Sequence, residues 1–232
     1  MIEYRPARLM GTTQRAELFA RHHFSFAGYA RSDRTNWGSL RILNHNFLAP
    51  GASTVPQPLD HFDILQWVLR GRVGHVGTLG TSHLAQARHI QLISSGEGLV
   101  HADINPDKEE AEFLELRFPA PEGHGPAFRA VGQFPGKEDG GRWTLLASGR
   151  RDDHALLLRA PSRVWGARIE TGEQLHANLD PRASCYIVAG SGRSVLGDNY
   201  LLDPGDGLAI QGESEATIRA IETAEILLVE SL

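Results

Sequence analysis

Two pairs in this sequence have the residue types and spacing of metal ligands: His61-x-Asp63 and His101-x-Asp103. On an extended strand, residues i and i+2 share a face, so each pair aims an imidazole and a carboxylate to one side. Together they would make a two-His, two-carboxylate set, a donor combination that suits first-row divalent ions. The other chemistry-bearing groups are weaker candidates. Ser94, Ser95 and His101 lack the nucleophile elbow of a serine hydrolase. The glycines at 71, 74, 77 and 80 precede neither Gly-Lys-Ser/Thr nor a helix signal, and read as turns rather than a phosphate loop. Cys185 is the only cysteine, which excludes an internal disulfide and a Cys-based zinc cluster; within the apolar run CYIVAG it reads as a buried, inert thiol. His22 and His23 read as loop or surface residues, and His75, His83 and His89, beside glycine turns, as solvated ones. In the second half His176 stands alone beside a strand, with no H-x-H near it, so that half is expected to be free of metal.

The elements that must position these residues are short strands. Runs such as SLRILNHNFLAP, DILQWVLRGRVGHVG, AEFLELRF and SCYIVAGSGRSVLG end in Gly, Pro, Asn or Asp, the pattern of a sandwich or barrel. Twenty-five glycines and twelve prolines fit that pattern and not a helical bundle. Only TTQRAELFARHH suggests a helix, with Thr12 or Thr13 as its N-cap. Residues 119–142 are rich in Pro and Gly and lack periodicity, so they read as a linker between halves at 1–118 and 143–232. The halves repeat a phrase: WVLRGRVGHVG is echoed by YIVAGSGRSVLG, strand–glycine turn–strand in each case, which indicates a duplicated unit.

Composition bounds the function. The chain of 232 residues carries a net charge of -5 with its basic residues scattered, so nothing favours nucleic acid or an anionic membrane as partner. MIEYRPARLM has no basic-then-apolar signal pattern, and no apolar run is long enough to cross a bilayer. A cytoplasmic protein is the expectation.

Four segments together resemble the pirin family of tandem cupins over nearly the whole chain. HHFSFAGY (22–29) is similar to the family's His-Thr-Phe-Ser-Phe opening, and SLRILNHNFLAPG (39–51) to its Leu-Arg-Val-Leu-Asn strand. QPLDHFDILQWVLRG (57–71) resembles the family's His-Pro-His…Glu…Tyr-Val-Leu-x-Gly segment without a gap, and IQLISSGEGLVHAD (90–103) its segment ending in His-x-Glu. The resemblance implies an all-β bicupin: two antiparallel, jelly-roll-like cupin barrels in tandem, with the N-terminal strand crossing to the second. It also implies a metal site in the first barrel whose four ligand positions fall on Gln57, Leu59, His101 and Asp103. Two of the four are lost, since an amide is a poor ligand and Leu59 is none. The expected cofactor is therefore none tightly bound, or a weakly held divalent ion such as iron, nickel or zinc. His61 and Asp63 could replace the missing pair only with the metal elsewhere in the barrel, since two strand positions move a Cα by about 6.8 Å. In this register Trp67 and Leu69 share the parity of Leu59 and are expected to fill the first barrel, and Leu59 and Asp63 to border the pocket.

Two functions follow from the resemblance. One is a ligand-binding or regulatory protein, with a small aromatic molecule or another protein as partner. The other is a metal-dependent dioxygenase of the quercetinase type, in which His101 and Asp103 hold the metal and Asp103 takes the substrate's hydroxyl proton.

Overall fold

In a computed structural model, described here for residues 1–80, 84–121 and 125–231, the chain is all β. The first half comprises β1 (Ile2–Arg5), β2 (Gly11–Gln14), β3 (Leu18–His22), β4 (Ile42–Leu48), β5 (Gln57–Leu59) and β6 (Phe62–Arg70). It continues with β7 (Arg72–Gly77), β8 (Leu84–Gln86), β9 (His89–Ser94), β10 (Leu99–Ile104), β11 (Ala111–Pro119) and β12 (Phe128–Gln133). The second half comprises β13 (Thr144–Ser148), β14 (Leu156–Leu157), β15 (Ser162–Ile169), β16 (Gln174–Asn178) and β17 (Ser184–Ser191). It ends with β18 (Ser194–Leu196), β19 (Tyr200–Leu202), β20 (Gly207–Gln211), β21 (Glu215–Ala220) and β22 (Ala224–Ser231). No helix is long and apolar enough to cross a membrane among the described residues.

Each half pairs a seven-stranded sheet with a four-stranded one. The orders are β12-β9-β6-β11-β4-β3-β2 with β5-β10-β7-β8, and β1-β20-β17-β22-β15-β13-β14 with β16-β21-β18-β19. The repeated phrase is the corresponding hairpin of each barrel. β6 turns at Gly71 (φ 73°) into β7, β17 turns through Gly192 (φ 66°) into β18, and each hairpin carries the chain from the large sheet to the small one. The positive φ at both turns is the reason for glycine there. β1 crosses to pair with β20. It thereby takes the edge position that β12 takes in the first barrel.

Three sequence expectations are corrected here. Residues 11–22 form the β2–β3 hairpin and not a helix. Leu18, Ala20 and His22 face a cavity while Phe19 and Arg21 meet Phe47 on the other face, a period of two. The stretch 119–142, expected to be aperiodic, contains β12 on the edge of the first barrel. Trp67 does not fill the first barrel. His61, in the left-handed region (φ 52°), breaks the strand between β5 and β6 and resets the parity. In β6, Ile64 and Val68 therefore pack inside the barrel, while Leu65 and Trp67, with Leu69 beside them, turn toward the second barrel.

The large sheets of the two barrels pack on each other. Trp67, Leu65, Leu114, Leu116 and Phe118 meet Tyr186, Val188, Leu227 and Val229 in one buried cluster. The barrel interiors differ in kind. The second is filled by apolar side chains, among them Ile187, Leu208, Ile210, Ile218, Ile226 and Leu228. Cys185 lies in that filling, where burial raises its thiol pKa to about 12. The first interior buries Asn44, Gln66, Gln91, His101, Asp103 and Glu115. Burying polar groups is costly unless they are paired, so the first barrel is the place to look for function.

Candidate functional site

Strand pairing builds a transverse row of polar residues across the large sheet of the first barrel. Gln91 stands opposite Gln66, Gln66 opposite Glu115, Glu115 opposite Asn44, and Asn44 opposite His22. Directly paired residues share a face. The row is fully buried, and it confronts the small sheet, where β10 presents His101 and Asp103. β10 pairs with β5 so that His101 is opposite Gln57 and Leu99 opposite Leu59. It pairs with β7 so that Asp103 is opposite His75 and His101 opposite Gly77. Glycine is needed at 77, because a Cβ there would lie 1.8 Å from the Val100 carbonyl oxygen.

His101, Asp103 and Glu115 bring one ligand atom each within 4.8 Å of one another. His101 Nε2 is 3.3 Å from Asp103 Oδ1, yet it is buried without a hydrogen bond. The other ring nitrogen is engaged: His101 Nδ1 lies 2.7 Å from Nδ1 of His75. Gln66 Nε2 donates to Asp103 Oδ1 at 2.7 Å and reaches Glu115 Oε2 at 3.4 Å. Arg117 Nε donates to Glu115 Oε1 at 2.9 Å. On the far wall, His22 Nδ1 and Asn44 Oδ1 are 2.7 Å apart, so Nδ1 carries the proton and Nε2 accepts from Thr13 Oγ1 at 2.8 Å.

Electrostatics ties the two ligands of β10 together. Burial disfavours the charged form of each. The attraction between them outweighs it, raising the His101 pKa and lowering that of Asp103. His75 moves the other way, to about 4, through burial and the charge on His101.

His22, Asn44, His101, Asp103 and Glu115 line a cavity of about 310 Å³ with Gln57 and Leu59 at one side and Phe26, Phe113 and Asn46 at others. That volume is at the small end of ligand sites. Gln57 is exposed, and Leu59, half-buried, packs on Ile64, Ile93 and Leu99.

The site residues expected from sequence divide. His101, Asp103, Gln57 and Leu59 meet at the cavity. His61 and Asp63 do not join them, because the turn at His61 sends Asp63 to the face toward the second barrel. There its Oδ2 accepts the backbone N–H of Arg159 at 2.5 Å. His22 on β3 and His75 on β7 are buried strand residues, and His23, in the bend after β3, is buried as well, so none of the three is at the surface. His23 sits under the second barrel, its Nδ1 2.9 Å from the Tyr186 hydroxyl. His89 is half-buried, His176 is exposed beside Thr217, and His83 lies outside the described residues. Sequence reasoning missed Glu115, Gln66, Asn44 and His75. Their signal is a single polar residue at inward parity on an apolar strand, readable only once the faces of the strands are known.

The donor set fits a divalent metal. An imidazole with one ring nitrogen free of hydrogen bonds and two carboxylates converge, each carboxylate oriented by a hydrogen bond from a neighbouring side chain, as in metal sites generally. Three protein ligands would leave coordination positions open to a substrate.

Comparison with known proteins places this geometry. A family model described as Pirin matches residues 4–116, and one described as Quercetinase C-terminal cupin domain matches residues 145–231. The chain is 34% identical to a pirin-like protein of Caulobacter vibrioides over 100% of both chains. It is 26% identical to a quercetin 2,3-dioxygenase of Escherichia coli, over 99% of this chain and 98% of the relative. Among solved structures, a bacterial pirin of Escherichia coli in complex with nickel(II) superimposes with a TM-score of 0.90 at 24% identity, covering 100% of this chain and 99% of that one.

Proposed function

The chain belongs to the pirin family, and from that premise we propose that its first barrel is a metal-assisted site of the quercetin 2,3-dioxygenase type. The observation that carries this reading is His101 Nε2, buried without a hydrogen bond 3.3 Å from Asp103 Oδ1, in a cluster that Glu115 completes. His101, Asp103 and Glu115 would hold the ion, and the nickel(II) complex of the Escherichia coli pirin favours nickel. Bound there, the metal would supply Lewis-acid and redox chemistry toward an oxygen-rich aromatic and dioxygen.

The chain's own residues do the rest. Asp103 Oδ2 has no hydrogen bond among the described residues and is the oxygen available to take a proton from an acidic substrate hydroxyl. Gln66 orients Asp103 and reaches Glu115, and Arg117 pairs with Glu115. Phe26, Phe113, Leu18 and Leu59 give the ring system apolar walls, while Asn44 and Asn46 offer hydrogen bonds to its substituents.

A second reading keeps the pocket but removes turnover. Gln57 and Leu59 stand where the family resemblance puts imidazoles, and a site with fewer nitrogen ligands holds its ion less tightly, which suits a ligand-binding or regulatory protein. Oxygen uptake separates the two. Protein supplied with Ni(II) or Fe(II) is expected to consume dioxygen with quercetin, and His101→Ala to lower that rate by about 100-fold or more. Binding of quercetin without oxygen uptake would favour the second reading and end the first.

A further inference from the structure

The carboxylate pair of the site is oriented by a chain of side chains that begins outside it, on β12. Arg129 donates through Nε and Nη2 to one atom, Gln91 Oε1, at 2.9 and 2.6 Å. Gln91 Nε2 donates to Gln66 Oε1. Gln66 Nε2 donates to Asp103 Oδ1 and reaches Glu115 Oε2. Gln66 and Gln91 are fully buried.

The direction of this chain is fixed at both ends. Ionised carboxylates only accept hydrogen bonds, and a guanidinium only donates. Gln66 must therefore turn its NH2 group to Asp103 and Glu115, which leaves its oxygen toward Gln91. Gln91 must in turn present NH2 to that oxygen and its own oxygen to Arg129. Rotating either amide by a half turn would place oxygen against carboxylate, or NH2 against guanidinium. Without Arg129, Gln91 could rotate, Gln66 would lose its donor, and the amide facing the carboxylates would have two orientations instead of one.

The chemistry of Arg129 supports this reading. A half-buried guanidinium ordinarily seeks a carboxylate, yet among the described residues this one makes no ion pair and gives two donors to a single amide oxygen. Its place in the fold explains the reach. β12 pairs with β9 so that Val131 is opposite Gln91 and Arg129 opposite Ile93. Arg129 is thus the diagonal neighbour of Gln91 on the same face, within range of a long side chain.

We infer that Arg129 is a positioning residue for the site: acting through Gln91 and Gln66, it fixes the donor that holds Asp103 and Glu115 ready for a cation. The inference rests on the metal reading above, and its test separates the two. Nickel(II) affinity is measured by calorimetry on wild type, Arg129→Ala, Gln66→Met and the double variant. Arg129→Ala is expected to weaken binding about 10-fold, in the range for residues that orient ligands without touching the ion. In the Gln66→Met background the same substitution should have no further effect, because the chain is already cut. Additive losses would mean that Arg129 merely holds β12 in place and would overturn the inference. If Gln66→Met does not fold, Gln91→Met cuts the chain one link further out and serves the same cycle.

The second readout needs no metal. In the NMR spectrum of metal-free wild type, the Gln66 side-chain NH2 is expected as a slowly exchanging pair displaced from free-amide positions. Arg129→Ala should shift and broaden that pair while the backbone amides of β9 and β12 keep theirs. If wild type binds no nickel, the metal reading fails and the amide signals alone decide. An unchanged Gln66 pair in Arg129→Ala sinks the inference in either case.

Discussion

Titrated with Ni(II), the Gln57→His/Leu59→His double variant is expected to bind at least 100-fold more tightly than wild type. The register explains why. β5 places 57 opposite His101 and 59 opposite Leu99, so both side chains stand on the face of β5 that borders the cavity. Two imidazoles added there join His101 without any movement of backbone. The cost falls on position 59, where Leu59 packs against Ile64, Ile93 and Leu99. A ring of similar size replaces it, so the loss of stability should stay at about 1–3 kcal/mol. Metal in excess should more than restore it, raising the melting temperature as the ion is added, since only the folded state offers the assembled ligands. Each single variant should gain less than the pair. Calorimetry on all four proteins checks this. A double variant that binds no better than wild type would mean that 57 and 59 do not address the same ion as His101.

Trp67→Ala is expected to destabilise the protein by about 3–5 kcal/mol, the usual loss on emptying a buried aromatic site. Trp67 is fully buried between the barrels and stacks on Phe134 with ring centroids 4.2 Å apart and planes 10° apart. Gly190 of β17 also approaches the ring so closely that an added Cβ would lie 2.2 Å from the indole. The space left by alanine is walled by two rigid sheets and cannot close. Leu69→Ala, at the half-buried end of the same face, should cost clearly less. Denaturant melts of the two variants compare them directly. Equal, small losses would show that Trp67 does not join the barrels.

The fold was readable because its signals are local. Short apolar runs bounded by turn residues give strands, and the glycine hairpins at 71 and 192 occur twice because the barrel does. His101 and Asp103 were readable because two residues on one strand share a face whatever the strand pairs with. Beyond one strand, the signal fails at particular residues. Counting parity from Leu59 to Trp67 assumes an unbroken strand, and the left-handed turn at His61 invalidates the count. Glu115 and Arg117 alternate with Leu114, Leu116 and Phe118, so this end of the strand has one apolar face and one polar face. Sequence reads the polar face as solvent, but the barrel closes over it. Gln91, Gln66, Glu115, Asn44 and His22 lie far apart in the chain and become a row only through the pairing of five strands. β12 was hidden by the Pro- and Gly-rich residues around it, and Arg129 with it.

Whether His101, Asp103 and Glu115 form one cation site is tested most directly by a Ni(II) titration of wild type and Glu115→Gln across a range of pH. Nickel needs the neutral imidazole. Asp103 raises the His101 pKa, so the proton competes with the metal to higher pH than at an ordinary histidine. Affinity should therefore fall as pH is lowered, beginning at a higher pH than for an ordinary histidine, and recover as pH is raised. Wild type is expected to take up one ion per chain, and Glu115→Gln to bind it at least 10-fold more weakly at each pH. Affinity that is unchanged by Glu115→Gln, or that does not respond to pH, would contradict the site described here.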